Sequence, residues 1–336
     1  MSGRSGHRAL TRRNFVKAAV ATPLGALLPA PSSADETNSS ILAVQRTAPK
    51  LRWPPPAQND ARIVEISSGF FSSPEFGEEE DVVVKLPGIA MRDGADVQIN
   101  GGRHVRIIGG HMRGRLMWRN GSGSLFVEGV LIDLNTVPNR DAITVSGASS
   151  NPPDIYLQNI IVTGVQGTFA GVHADVFQAY GPIGRLRVHS MTADSNYQGF
   201  FIRPEFPIAG ATFSRVNMKF NKRGKPEGGT FLFWCRNMQG SPAKGDAFYP
   251  VEFGPEVYAE PNARAAGWPA AFPPPGILVP GKEGRNFDGA VGADNSIGWP
   301  EHSGITGRVL LGPPKDGDMV KPTDIGANYR SPGYDD

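Results

Sequence analysis

The sequence predicts an all-β fold, a parallel solenoid in which short strands stack from one coil onto the next. A strand–bend–strand motif recurs five times at intervals of 20 to 31 residues, and no long segment shows the 3.6-residue period of a helix. Glycine and proline supply 42 and 30 of the 336 residues, which is typical of a turn-rich β protein. An antiparallel sandwich, the competing β architecture, does not explain a motif that returns in the same order.

Each repeat carries apolar or small residues at relative positions 0, 2, 5 and 7. This spacing indicates two period-2 strands joined by a two-residue bend that changes the phase. The bends read Ile-Gly, Glu-Gly, Gln-Asn, His-Ser and Ser-Arg. Another short strand precedes each motif, so each coil is expected to contain three strands. The motifs begin at Val105, Leu125, Ile155, Leu186 and Ala211.

The solenoid is expected over residues 61–250. Residues 61–100 are expected to build the first turns and to cover one end, because an open coil end exposes apolar side chains and unpaired strand edges. Residues 251–336 are rich in proline and glycine, and they are expected to form an irregular segment packed along the solenoid, with short strands such as Gly307–Leu311. A partly disordered tail is the alternative. Residues 35–60 are expected to be a linker or an extended lead-in.

The first 34 residues have the layout of a signal peptide. The basic run TRRNFVK at residues 11–17 is followed by a short apolar stretch and by small residues at Ser32 to Ala34. The run resembles the twin-arginine (Tat) export motif of bacteria, which implies transport by the Tat export machinery to the periplasm or beyond it. The apolar stretch is too short to span a bilayer, so no permanent membrane span is expected. A cytoplasmic basic tail is the alternative.

Charge and cysteine content exclude several kinds of site. The formal net charge is +2, so no nucleic-acid partner is expected. Cys235 is the single cysteine, which excludes an internal disulfide and a zinc site built on cysteines.

The repeat pattern resembles the right-handed parallel β-helix of the pectate-lyase-like superfamily over about residues 60–250. The resemblance implies a substrate groove along the sheet formed by the first strand of each coil. The strings DAITVSG (Asp141–Gly147) and DVFQAYG (Asp175–Gly181) align without gaps. Thr144 and Ser146 are then expected to stack under Gln178 and Tyr180 on the outward face, with the intervening residues facing inward.

The candidate site is gathered around these two strings. Asp141 and Asp175 occupy corresponding positions about 4.8 Å apart, a distance at which two carboxylates share a proton or a cation, although an aspartate before a strand also caps turns. His173 precedes Asp175 by two residues, where one side chain can orient the other. The predicted catalytic residues are His173, Asp175, Tyr180 and Arg203. The predicted substrate-binding residues are Gln178, Glu205, Trp234 and Arg236, and a calcium ion on Asp141 and Asp175 is the one cofactor considered.

Three functions fit this set. The first is a lyase that cleaves an acidic, uronate-containing polysaccharide by β-elimination, with His173, Tyr180 or Arg203 as the base. The second is a glycoside hydrolase, which needs two carboxyl groups on either side of the bond. The strings NRDAI and HADVF loosely resemble those of polygalacturonases, but Ala174 stands where the resemblance requires an aspartate. A C5-epimerase would use lyase-like residues. The third function is a non-catalytic carbohydrate-binding or surface-structural solenoid.

Overall fold

The computed structural model describes residues 49–202, 206–223, 231–235, 249–261, 271–272, 294–299 and 303–335. Strands dominate these residues, and a 3-10 helix spans Pro322–Asp324. None of the described residues lies in a helix with the length and hydropathy needed to cross a membrane. The strands, in chain order, are β1 Arg62–Glu65, β2 Phe71–Phe76, β3 Val82–Lys85, β4 Val97–Gly101, β5 His104–Ile108, β6 His111–Met112, β7 Leu116–Gly121, β8 Ser124–Glu128, β9 Leu131–Asp133, β10 Ile143–Gly147, β11 Asp154–Val165, β12 Phe177–Ala179, β13 Ile183–Ser195, β14 Gln198–Phe201, β15 Ile208–Phe220, β16 Phe231–Trp234, β17 Val251–Phe253, β18 Val257–Glu260, β19 Ala271–Phe272, β20 Ser296–Gly298 and β21 Ile305–Leu311.

The strands form two sheets that stack coil upon coil. Within the described residues the larger sheet has 13 strands and includes β1, β3, β5, β8, β11, β13, β15 and β17 side by side. The smaller sheet has 8 strands, in the order β2, β4, β7, β10, β12, β14, β16 and β19. Strand pairs are parallel, apart from β20 with β21. The prediction of an all-β parallel solenoid is confirmed.

The repeat found in the sequence is the register of the larger sheet. Val105 pairs with Leu125, Leu125 with Ile155, Ile155 with Leu186, and Leu186 with Ala211. All five side chains are buried in the core. The motif therefore marks inward-facing ladders, in which apolar side chains from successive coils pack on one another and are removed from water.

The predicted bends fall where the backbone enters the left-handed region. The second residue of each bend has a positive φ: 69° at Gly109, 69° at Gly129, and 52° at Asn159, Ser190 and Arg215. Such a residue turns the chain and shifts the side-chain phase between the two strand segments. Glycine adopts this conformation readily, whereas another L-residue is strained by about 1–2 kcal/mol.

Parallel pairing continues past residue 250, because Val251 in β17 pairs with Ala211.

Two further segments, residues 313–335 and residues 49–60, cover the larger sheet. Residues 313–335 pack across the bends. Residues 49–60 run along the same side, where the backbone of Trp53 exchanges two hydrogen bonds with the side chain of Gln158. None of the described hydrogen bonds of these two segments reaches the smaller sheet.

Candidate functional site

Asp141 and Asp175 lie in the turns before β10 and β12, in neighbouring coils. Ile143 pairs with Phe177, so the two aspartates occupy corresponding positions, as the alignment predicted. The Oδ1 atom of Asp141 accepts a hydrogen bond of 3.0 Å from the backbone N–H of Asp175. The two residues are only 5% and 1% exposed. Burial raises the pKa of Asp141 above its ordinary value, although its two hydrogen bonds and the charge of Arg115 oppose the shift.

Tyr180 joins this buried carboxylate to the solvent-facing surface. It follows β12 and is 51% exposed, and its hydroxyl donates a hydrogen bond of 3.1 Å to Oδ2 of Asp141. Burial of the phenol raises its pKa, and the Asp141 carboxylate raises it further. The hydroxyl of Tyr180 therefore keeps its proton at neutral pH and directs it at the carboxylate.

A cavity of about 320 Å³ opens beside this pair on the outer face of the smaller sheet. Arg115 reaches Oδ2 of Asp96 at 3.0 Å, whereas Arg119 is exposed and forms no ion pair with a described residue. The hydroxyl of Thr144 is buried and has no hydrogen-bond partner within the described residues. Among the described residues, no acidic side chain lines the cavity. Its lining residues are Arg115, Met117, Trp118, Arg119, Asn120, Thr144, Val145, Ser146 and Tyr180.

The predicted stacking of Thr144 against Gln178 is confirmed, and Phe201 follows Gln178 in the same outward ladder of the smaller sheet. Gln178 pairs with Thr144 in one direction and with Phe201 in the other. Phe201 in turn pairs with Trp234, and their rings are 5.1 Å apart in an edge-on arrangement. Gln178 and Trp234, both predicted to bind substrate, therefore lie along one line of outward side chains. Arg203, Glu205 and Arg236 fall outside the described residues.

His173 does not orient Asp175. Its ring is exposed, and Nε2 lies 2.9 Å from the carbonyl oxygen of Phe169. The expected pairing assumed that residues 173 and 175 share one strand face. Strand β12 begins only at Phe177, so both residues lie in the preceding turn and loop, where side chains do not alternate.

The described residues do not fit a calcium site. No group of three or more His, Cys, Asp or Glu side chains within them converges as metal ligands would. Calcium takes about 6–8 oxygen ligands, and both oxygens of Asp141 already accept hydrogen bonds from Asp175 and Tyr180.

Sequence reasoning missed the arginines of the cavity. Arg119 pairs with Ser146 in the adjacent coil, and Met117 pairs with Thr144. Both residues lie in the string RLMWRN, Arg115–Asn120, which contains most of β7, the short strand before the second repeat. Extending the outward ladder by one coil would have placed Arg119 next to Ser146 and Tyr180.

No protein-family model, no curated protein and no solved structure matches this chain.

Proposed function

We propose that this protein is an exported lyase that cleaves a uronate-containing polysaccharide by β-elimination. The observation that carries the proposal is the hydrogen bond from Tyr180 to Asp141, at the edge of a cavity lined by arginines. It couples a proton donor on the open surface to a buried carboxylate whose pKa is raised by burial. A solenoid suits a polymer substrate because its outer sheet offers an extended surface.

Tyr180 is the base in this scheme. Elimination breaks the C5–H bond and the C4–O bond of a uronate residue and forms a C4=C5 double bond. The oxygen of Tyr180 takes the C5 proton while its own hydroxyl proton passes to Oδ2 of Asp141. A water molecule protonates the leaving C4 oxygen, and the hydroxide that remains takes up the proton that Asp141 releases, which restores the carboxylate. The relay avoids a free tyrosinate, which the raised pKa of Tyr180 disfavours next to a carboxylate.

The reaction also requires that the carboxylate of the substrate be neutralised, and the arginines of the cavity can do this. The C5 proton is weakly acidic because it lies beside a carboxylate, so that carboxylate must be neutralised in the transition state. Arg119 has no described ionic partner and faces the cavity, and its planar guanidinium fits a carboxylate with two parallel hydrogen bonds. Arg115 adds positive charge close to Asp141 and Tyr180.

The burial of the aspartates favours elimination over hydrolysis. A glycosidase needs two carboxyl groups about 5 Å apart or about 6.5–9.5 Å apart, both facing the scissile bond. Asp141 and Asp175 are both buried, and Asp141 is engaged by the backbone of Asp175. A C5-epimerase would use the same proton abstraction and would differ in returning a proton to C5.

A product assay tests the proposal. The mature protein is incubated with a panel of uronate polysaccharides, and ultraviolet absorbance reports the unsaturated ends that elimination leaves. Rising absorbance is expected. Reducing ends without that absorbance would indicate hydrolysis, exchange of the C5 hydrogen with solvent without cleavage would indicate epimerisation, and binding without product would indicate a non-catalytic protein.

Export is a separate part of the proposal and has its own test. Replacing Arg12 and Arg13 together by lysine is expected to hold the protein in the cytoplasm of a bacterial host, because the pair is the core of the twin-arginine motif. Cell fractionation measures the distribution. Unchanged export of the double variant would contradict Tat transport without affecting the assignment of the reaction.

A further inference from the structure

The loop between β11 and β12 presents apolar side chains to solvent beside the candidate site. Phe169 is 67% exposed and Val172 is 48% exposed. Single exposed apolar residues are common on protein surfaces, so exposure alone indicates little. These two residues differ from scattered ones because they lie in one short loop whose backbone and ring contacts hold Phe169 in place.

Hydrogen bonds and close approaches fix the loop. The N–H of Thr168 donates to the carbonyl of Val172 at 2.9 Å, and Nε2 of His173 lies 2.9 Å from the carbonyl of Phe169. A Cβ atom on Gly171 would lie 2.7 Å from Oγ1 of Thr168, a side-chain atom that rotation about χ1 can move away, so the conformation of the loop depends on the two contacts to carbonyl oxygens. These contacts give the loop that carries the exposed Phe169 ring a defined conformation.

A row of rings supports Phe169 from beneath. Its ring stacks on the imidazole of His173 with centroids 6.0 Å apart and planes inclined by 20°. The imidazole in turn contacts the buried ring of Tyr197 at 5.4 Å. One face of the Phe169 ring is thus backed by the protein while most of the side chain remains in water.

We infer that Phe169 and His173 form a sugar-binding subsite that stacks on a pyranose ring of the polysaccharide, next to the residue that reacts. The inference rests on the proposed function for the identity of the polymer. A fixed, exposed aromatic ring offers an apolar surface to the C–H face of a sugar, and aromatic surfaces of this kind bind with large buried area and little conformational cost.

The position of the loop connects the subsite to the reaction centre. His173 lies two residues before Asp175, whose backbone N–H is bound by the carboxylate of Asp141. The subsite is uncharged along its exposed ring, whereas the cavity beside Tyr180 is lined by Arg115 and Arg119. In this proposal the cavity and the loop recognise different features of the polymer: the arginines bind a carboxylate, and Phe169 binds the ring of a neighbouring sugar.

Chain-length kinetics test the subsite. Phe169→Ala is expected to raise KM about three- to tenfold for oligouronates long enough to reach both parts, to leave KM for the shortest cleaved oligomer unchanged, and to leave kcat unchanged. Phe169→Tyr should restore the KM of the parent protein. Phe70→Ala is the matched control, because Phe70 is a comparably exposed phenylalanine that precedes the edge strand β2. Equal KM values for Phe169→Ala and the parent protein would overturn the inference.

A binding measurement separates this inference from the proposed reaction. Native electrophoresis in gels that contain polygalacturonate, alginate or a neutral glucan measures retardation without catalysis. Retardation that Phe169→Ala loses and Phe70→Ala keeps would support the subsite even if no polymer is cleaved. Retardation that both variants keep would overturn the subsite and leave the lyase proposal standing. No retardation of the parent protein by any polymer would overturn the subsite.

Discussion

The hydroxyl of Tyr180 donates a hydrogen bond of 3.1 Å to Oδ2 of Asp141 in the preceding coil. The other oxygen of Asp141 holds the backbone N–H of Asp175, so the carboxylate is fixed from both sides. Aspartates before strands commonly cap turns in this way, and the bond to Asp175 has that structural role. The bond to Tyr180 is not part of that cap, because it joins the carboxylate to a half-exposed phenol at the cavity.

Replacing the Tyr180 hydroxyl tests its place in proton transfer. Tyr180→Phe is expected to lower kcat for elimination by about 10²–10⁴-fold, the usual effect of losing a general base. The free energy of unfolding should fall by about 1–3 kcal/mol, because Oδ2 of the buried Asp141 loses its donor. Product absorbance and urea unfolding measure the two effects. Tyr156→Phe, on the larger sheet, is the control and should keep full activity; a Tyr180→Phe variant with parental kcat would remove Tyr180 from the mechanism.

Asp141→Asn is expected to lower the elimination activity and to change how the free energy of unfolding depends on pH. The amide keeps an acceptor for the Asp175 N–H but cannot take the proton from Tyr180, so elimination should fall steeply. Burial raises the pKa of Asp141, so the folded state binds this proton more tightly than the unfolded state does. The free energy of unfolding of the parent protein should therefore fall as pH rises from the ordinary aspartate pKa through the raised value.

The asparagine variant lacks that titration. The free energy of unfolding of the variant, relative to that of the parent protein, should rise across the same pH range and level off above it. The activity of the parent protein should rise over that range as Asp141 ionises. Urea unfolding and kcat measured from pH 3 to pH 8, at about one-unit steps, would record both trends. A variant whose relative stability does not change with pH would show that the pKa of Asp141 is not raised.

Arg119→Ala tests recognition of the substrate carboxylate. Its loss is expected to raise KM for a uronate polymer about 10- to 100-fold, the effect of removing a charge-assisted hydrogen bond. Arg119→Lys should recover part of the affinity, because it restores charge without the bidentate geometry. Arg185→Ala, an exposed arginine on the larger sheet, is the control. A salt dependence of KM identical in Arg119→Ala and the parent would argue against a direct ionic contact.

The strand register around the site could be predicted from the sequence, whereas the side-chain contacts within the site could not. Apolar residues at alternate positions determine which side chains face the core, so the ladder through Ile143 and Phe177 followed directly from the alignment of two strings. The pairing of Thr144 with Gln178 followed from the same register. These features depend on local periodicity, which one sequence contains.

The contacts that assemble the site depend on distances that periodicity does not encode. A tyrosine that reaches back to the preceding coil, as Tyr180 does to Asp141, leaves no local pattern. The expected partnership of His173 with Asp175 is wrong for a related reason: β12 begins only at Phe177, so strand alternation does not apply to residues 173 and 175. Arg119 lies on β7, and its place at the site becomes visible only when that strand is aligned with Ser146 in the neighbouring coil.

A buried carboxylate fastens the C-terminal segment to the solenoid. Glu128 accepts hydrogen bonds from the hydroxyls of Tyr329 at 2.8 Å and Tyr334 at 2.7 Å. Burial is the main cause that raises the pKa of Tyr334 to about 12, from an ordinary value of 10.0; Ser331 opposes the shift and Glu128 adds to it. Because the folded state holds this proton more tightly, the free energy of unfolding is expected to fall as pH rises from 10 to about 12.

Tyr334→Phe should remove that contribution to the alkaline slope. At neutral pH the variant should be less stable by about 1–3 kcal/mol, because one oxygen of buried Glu128 loses its donor. Urea unfolding from neutral pH to pH 12 measures both effects. If the parent protein and Tyr334→Phe showed the same pH dependence, titration of this phenol would not contribute to alkaline unfolding.

Two glycines in equivalent bends should differ in their tolerance of alanine. Gly109 and Gly129 both have a φ of 69°, so alanine introduces the same left-handed strain of about 1–2 kcal/mol at each. A Cβ atom on Gly129 would lie 2.1 Å from the ring of Tyr329, whereas at Gly109 the nearest atom is the Tyr329 Cβ at 3.2 Å. Gly129→Ala must therefore displace the Tyr329 ring, whose hydroxyl donates to Glu128. Its free energy of unfolding should fall by about 1–3 kcal/mol more than that of Gly109→Ala, which is the cost of leaving a buried acceptor without its donor. Urea midpoints of the two variants, and of each combined with Tyr329→Phe, measure the difference; equal losses at Gly109 and Gly129 would show that Tyr329 does not set the cost.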